Sequence, residues 1–329
     1  MTIRTRSVQA GCSLPLVVEP ETSDSPSFEE LAQLIRDRHE WLEQKLLLHG
    51  GVLFRGFAVA NADEFQKVAL AVTSELKPYI EGQSPRTKVE VSGNGNGSGN
   101  VYTSTEYPPQ FSITLHCELS YAKTPPNRIL FYCNIQPQTG GETPIADCRR
   151  VYDAMDTDLR SKFESKGVKY VKNMHGDPQG LGKSWMDHFE TSDRSVVETY
   201  LRDNDIEFEW TDNGGLRTTA IRSAVRKHSV TGETVWYNQT NLWHVSNFEP
   251  RRREQLLRLC GEANLPTHAY FGDGTPITDE ELDRVREVMW QQAVVFPWQQ
   301  GDVLVLENHL AAHGRRPYEG PRKILVAMN

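Results

Sequence analysis

The chemistry in this chain starts at His116 and Glu118. They end a segment, Phe111-Ser112-Ile113-Thr114-Leu115-His116, in which apolar and polar residues alternate strictly. Such alternation predicts a strand, and residues two apart on a strand share a face. One imidazole and one carboxylate could therefore grip one metal ion, with a third ligand supplied from far along the chain. Near the end, the apolar run Asp302-Val303-Leu304-Val305-Leu306 leads into Glu307-Asn308-His309-Leu310-Ala311-Ala312-His313-Gly314-Arg315, and Arg322 follows nine residues after His313. Either His309 or His313 would complete a set of two imidazoles and one carboxylate. That set leaves adjacent coordination positions open, as iron(II) needs if it is to take a cosubstrate and oxygen; zinc prefers four-coordination, often with thiolate. Arg322 offers a planar, two-pronged donor, which suits the far carboxylate of a 2-oxoacid chelating the metal through its other end.

These residues must be positioned by the elements around them. Ser27-Phe28-Glu29-Glu30 has the form of a capping box, and Phe28, Leu31, Leu34, Ile35 and Leu42 follow at helical spacing until Gly50-Gly51. A short strand, Val52 to Phe57, and a helix from Asn61 come next. The run Gly93 to Asn100 carries no apolar residue and reads as a mobile loop, either plain surface or a lid. Ile129 to Ile135 predicts another strand. Between about 150 and 295 helical patterns dominate, at Val151–Lys166, Arg194–Arg202, Pro250–Cys260 and Thr278–Gln291, with strands at Glu207–Trp210 and Thr234–Tyr237. Strands resume at Asp302–Leu306 and Lys323–Met328, so the sheet is closed late, by the C-terminal strands.

Composition narrows the function. The 329 residues carry 36 basic and 44 acidic side chains, a net charge of -8, which gives no electrostatic reason to expect nucleic acid or an anionic membrane. No stretch approaches the length of a membrane span and no signal-peptide pattern opens the chain. Five cysteines, Cys12, Cys117, Cys133, Cys148 and Cys260, include no C-x-x-C pair. Reduced thiols in a cytoplasm are the expectation.

Taken in order, the landmarks His116-x-Glu118, Gly140-Gly141-Glu142-Thr143-Pro144, Asn308 to Arg315, and Arg322 resemble the TauD/TfdA family, the taurine dioxygenase-like oxygenases. The resemblance runs over most of the chain, from Gly51-Val52-Leu53-Phe54-Arg55-Gly56-Phe57 to the end. Segments Tyr102 to Pro108 and Arg322 to Met328 look like the branch of syringomycin-pathway amino-acid hydroxylases. The resemblance implies an α+β fold: one TauD-like domain over 1–329, with a double-stranded β-helix (jelly-roll) core, flanking helices and a largely helical insertion at about 150–295. It implies Fe(II), 2-oxoglutarate and O2 as cofactors. It selects His313, which stands before Gly314-Arg315 as the family's distal ligand does, and assigns Thr143 and Arg322 to 2-oxoglutarate. Two departures stand out: Cys117, where the branch often has Asn, and Glu307, where Asp is usual.

The activity implied is hydroxylation of an unactivated C–H bond of an amino acid or a derivative, with release of succinate and CO2. Halogenases of this kind lack the ligand carboxylate that Glu118 provides, whereas desaturation or cyclisation would use the same site. A zinc-dependent hydrolase built on the three ligands would leave Thr143 and Arg322 without a role. The substrate would be free or tethered to a peptide-synthetase carrier protein, and the acidic net charge tilts toward free. Arg315 is the first choice for contacting the substrate, followed by Glu106, Asn238 and Trp243, with Gln239, His244 and Arg316 behind them. Self-association is left open.

Overall fold

The computed structural model describes residues 1–21, 24–82, 84–92, 99–176 and 180–329; the greater part of the glycine-rich run, 93–98, lies outside them. Two sheets share one core. The major sheet has seven strands, in the order Ile3–Ser7, Leu16–Pro20, Gly51–Phe54, Val303–Glu307, Arg128–Ile135, Lys323–Met328 and Tyr102–Thr103. Leu16–Pro20 runs parallel to Gly51–Phe54 and the other neighbours are antiparallel. The minor sheet has four, Ala293–Val294, Ile145–Asp147, Ala311–Arg315 and Ile113–His116. As expected, the last strands of the chain complete both sheets.

Side-chain alternation explains the layering. Leu304, Leu306, Ile324, Val326, Ile129 and Phe131 point inward and pack with Leu115, Ile145, Ala311 and Ala312 of the minor sheet. Val303, Val305, Leu325, Ala327, Leu130 and Tyr132 point the other way, onto a layer of helices. The C-terminal runs are nearly continuous in apolar residues because these strands are covered on both faces. The covering helices are Phe28–Asp37, His39–His49 and Ala62–Val72. Ser27 and Glu30 form the expected capping box, and Asn61 caps the third helix through Glu64.

The insertion departs from the expectation of a largely helical segment. Beside its helices it holds a four-stranded antiparallel sheet, in the order Glu207–Trp210, Leu216–Arg222, Val168–Met174 and Thr267–Phe271. Its central strand, Val168–Met174, is mostly buried on both faces, so period-two alternation is blurred there. The continuous helix expected from Val151 is two, Cys148–Ala154 and Thr157–Lys166, because the Asp156 side chain caps a new start by accepting from Leu159 N–H. No helix among the described residues is long and apolar enough to cross a membrane, and all five cysteines are free thiols.

Candidate metal centre

His116 is the last residue of its strand, and its cross-strand partner is His313. The two imidazole centroids lie 4.5 Å apart. Gly314 permits that approach, since a Cβ there would sit 2.6 Å from the Ile113 carbonyl oxygen. Glu118 lies beyond the strand end, so the shared-face argument does not place it. Asn308 does. Its Oδ1 accepts from the Glu118 N–H at 2.7 Å, and its Nδ2 donates to the Glu118 and Pro126 carbonyls at 2.9 and 2.8 Å. The outcome is one ligand atom each from His116, Glu118 and His313, all within 4.8 Å of one another, from three buried residues.

The protonation pattern suits a metal. His116 Nδ1 lies 2.8 Å from the Thr114 carbonyl. A carbonyl only accepts, so Nδ1 carries the proton and Nε2 keeps its lone pair. Burial, helped by the neighbouring His313, pushes the His116 imidazole down to about 4. Burial alone would raise the Glu118 carboxyl, but Arg86 and His313 outweigh it and hold the group well below the usual carboxylate range. Arg86 Nη2 lies 2.8 Å from Glu118 Oε2, and the same oxygen is 3.4 Å from His313 Nε2. Arg86 stacks over Tyr79, and its Nε and Nη1 are buried without partners. Nothing in its sequence context singled it out.

Thr143 and Arg322 line a small cavity of 30 Å³ together with Arg86, His116 and His313. Thr143 Oγ1 accepts from Trp298 Nε1 at 3.1 Å, which gives that buried tryptophan a part in the site's wall. Arg322 donates to the Gly141 carbonyl at 2.9 Å and to Ser104 Oγ at 3.2 Å. Burial, with Arg315 nearby, lowers its guanidinium to about 10. A buried cation bonded only to neutral groups fits an anionic ligand. The donors therefore suit a 2-oxoacid.

His309, the rival ligand, belongs to a second buried cluster with His228 and Glu307. There Glu307 Oε1 is 3.6 Å from both imidazoles, and the carboxylate is already paired with Arg128. Burial first, then Arg226, His228 and Arg128, push His309 down to about 3. Such surroundings repel a cation. The departures at 117 and 307 are thus both packing solutions: Cys117 Sγ meets Cys148 Sγ at 3.4 Å, and Glu307 joins Arg128.

A larger cavity, 460 Å³, opens on His116 from the other side. Glu106 lines it, with Lys172, Lys183, His188 and Arg252. His188, in the insertion, is part of this wall. Arg315 is not; its Nη1 and Nη2 donate to the Tyr107, Pro108 and Phe111 carbonyls at 2.8 to 2.9 Å and tie down that loop. Asn238 bonds to the Ala224 carbonyl and to Thr240, and Trp243 packs against Tyr121 and Tyr170. Both stand behind the cavity wall. The helix Thr240–Trp243 buttresses the ligand strand: Asn241 donates to the Leu115 carbonyl at 2.9 Å, and Gln239 just before it donates to the Cys117 carbonyl at 2.5 Å.

A family model described as "Taurine catabolism dioxygenase TauD, TfdA family" matches residues 14–328. The dapdiamide synthesis protein DdaC of Enterobacter agglomerans is 36% identical over 323 residues, 98% of this chain and 93% of that protein. A clavaminate synthase-like protein of Arabidopsis thaliana is 30% identical over 325 residues, covering 95% of this chain and 93% of its own length. Among solved structures, PvcB of Pseudomonas aeruginosa superposes with a TM-score of 0.56 at 15% identity, over 99% of this chain and 91% of that one. Another structure of PvcB, described as an Fe, alpha-ketoglutarate dependent oxygenase from an isonitrile synthetic pathway, gives a TM-score of 0.54 at 16% identity, with the same coverage.

Proposed function

The chain belongs to the TauD/TfdA family and is an iron(II)- and 2-oxoglutarate-dependent dioxygenase; from that premise we propose that His116, Glu118 and His313 hold the iron and that the enzyme hydroxylates an unactivated C–H bond of an amino acid or amino-acid-derived intermediate. One observation carries the ligand assignment: three buried residues from distant parts of the chain place ligand atoms within 4.8 Å of one another. With iron, 2-oxoglutarate and O2 bound, the site supplies an oxidant that breaks the C–H bond, and the oxoacid leaves as succinate and CO2. The protein's share is positional. Thr143 and Arg322 hold the oxoacid, Asn308 fixes the Glu118 peptide, and the 460 Å³ cavity presents the substrate beside His116. Glu118 fills the coordination position that a halogenase leaves to chloride, which supports hydroxylation. The free cysteines support a cytoplasmic enzyme.

The decisive comparison is His313→Ala against His309→Ala. The first should abolish iron(II) binding and 2-oxoglutarate-dependent succinate formation, while the second retains both. Loss of iron binding in His309→Ala alone would overturn the assignment. Absence of any iron- and 2-oxoglutarate-dependent turnover in the wild type, with a panel of amino acids, would overturn the activity.

A further inference from the structure

Lys172 lies near the middle of the strand Val168–Met174 and is 8% exposed, yet it lines the 460 Å³ cavity together with the ligand His116. A buried ammonium is ordinarily paired with a carboxylate, because desolvating an unpaired charge is costly. Among the described residues, Lys172 has no such pair in contact. Its Nζ meets His188 Nε2 at 2.9 Å and the Glu81 backbone carbonyl at 3.5 Å. The rings of Tyr121 and Trp243 flank it at 5.5 and 5.4 Å. The Glu81 side chain acts on it from farther off, and that carboxylate is engaged by the Tyr200 hydroxyl. Burial lowers the Lys172 ammonium to about 8, with Lys183 adding to the effect. The rest of the charged lining is mixed: Lys183 and Arg252 are cationic, with Glu190 and Asp187 acting on Lys183, and the carboxylate Glu106 accepts from Thr103 Oγ1 at 2.8 Å. Among the described residues, Lys172 thus stands in the cavity wall with no carboxylate in hydrogen-bond contact, in the cavity that opens on His116.

We propose that Lys172 binds a free carboxylate of the substrate, so that the enzyme acts on a carboxylate-bearing small molecule, with the carbon to be oxidised held toward His116. The proposal rests on the dioxygenase reading given above. If the carboxylate recognised is the α-carboxylate, the substrate is free, since an amino acid held as a carrier thioester has none to offer. A carboxylate on an acyl or side-chain group presents the same chemistry to Lys172 as an α-carboxylate, and the choice of probes distinguishes them.

The test uses the protein loaded with Mn(II) and N-oxalylglycine, which binds without turnover. The L-amino acids and their N-succinyl derivatives are screened for thermal stabilisation, each as the free α-acid and as the α-carboxamide. Stabilisation by acids and not by amides is expected; an N-succinyl amide that still binds identifies the acyl carboxylate as the one recognised. Lys172→Met should weaken binding of the active acids at least tenfold. With iron(II) and 2-oxoglutarate the same variant should raise KM for them by a larger factor than it lowers kcat. Its ligand-free melting temperature should not fall, because the change removes an unpaired buried charge at similar volume. Lys172→Arg should recover part of the affinity. Wild-type affinity in Lys172→Met, or no carboxylate-selective stabilisation across the panel, would overturn the proposal. Absence of succinate from the wild type under all conditions overturns the dioxygenase reading instead, and leaves the Mn(II) binding comparison intact.

Discussion

At the scale of single residues, the site is a balance of buried charges. Glu118 is held ionised by Arg86 at 2.8 Å, with both side chains under 5% exposed. Removing one partner of such a pair leaves the other buried and uncompensated, at a cost of about 3–5 kcal/mol. Arg86→Met keeps the volume and takes away the charge, so the metal-free variant should lose stability on that scale. A divalent cation at His116, Glu118 and His313 would restore the missing counter-charge. The rise in melting temperature on adding Mn(II) should therefore be larger in Arg86→Met than in the wild type; equal rises would show that Arg86 and the metal do not share Glu118. None of this could be read from the sequence. His116 and Glu118 drew notice because their types and spacing match metal ligation, and Arg322 because a carboxylate clamp calls for arginine. Arg86 and Lys172 are ordinary cations in ordinary contexts until the fold buries the one against Glu118 and the other in the wall of the larger cavity.

At the scale of elements, the proposed ligand set depends on one strand pair. His116 and His313 face each other across Ile113–His116 and Ala311–Arg315, with an irregularity in register between His313 and Arg315. Gly314 lies within it, where an added Cβ would meet the Ile113 carbonyl oxygen at 2.6 Å and the Leu115 nitrogen at 3.3 Å. These are backbone atoms, which cannot rotate away. Gly314→Ala should cost about 1–3 kcal/mol, the usual range for overpacking, and should also weaken iron(II) binding by forcing His313 away from His116. Denaturant melts and metal titrations on the same variant measure the two effects; loss of stability with unchanged metal affinity would mean that the strands part elsewhere. Elements were legible where one physical signal dominated. The capping box at Ser27, the helix from Thr278 and the apolar runs of the last strands stand where the sequence places them. The insertion sheet was not legible, because Val168–Met174 is mostly buried on both faces and Lys172 interrupts its apolar pattern. Nor did strand parity place Glu118: the strand stops at His116, and the fixing contact comes from Asn308, 190 residues away.

At the scale of the whole molecule, the chain keeps an unusual number of histidines buried and uncharged. Burial is the leading cause at each of them. His244 and His309 are both pushed down to about 3, with His268 adding to the first and Arg226, His228 and Arg128 to the second. His188, His228 and His268 are lowered as well. In the unfolded chain these side chains take up protons near pH 6.5. The folded state therefore binds fewer protons than the unfolded state throughout the interval between, and stability must fall as pH drops from 6.5 toward 3. At pH 5, His244 and His309 alone account for a loss on the order of 4 kcal/mol, taking roughly 1.4 kcal/mol per pH unit for each group. Against a total of about 5–15 kcal/mol for a typical domain, that is enough to govern acid tolerance. The melting temperature should be flat between about pH 7 and 8 and descend steeply below 6.5. His309→Asn, which cannot take up the proton, should make the descent shallower whatever it does to stability at neutral pH. An unchanged slope in that variant would show that the acid sensitivity arises from the carboxylates, whose own loss of stability belongs nearer pH 4.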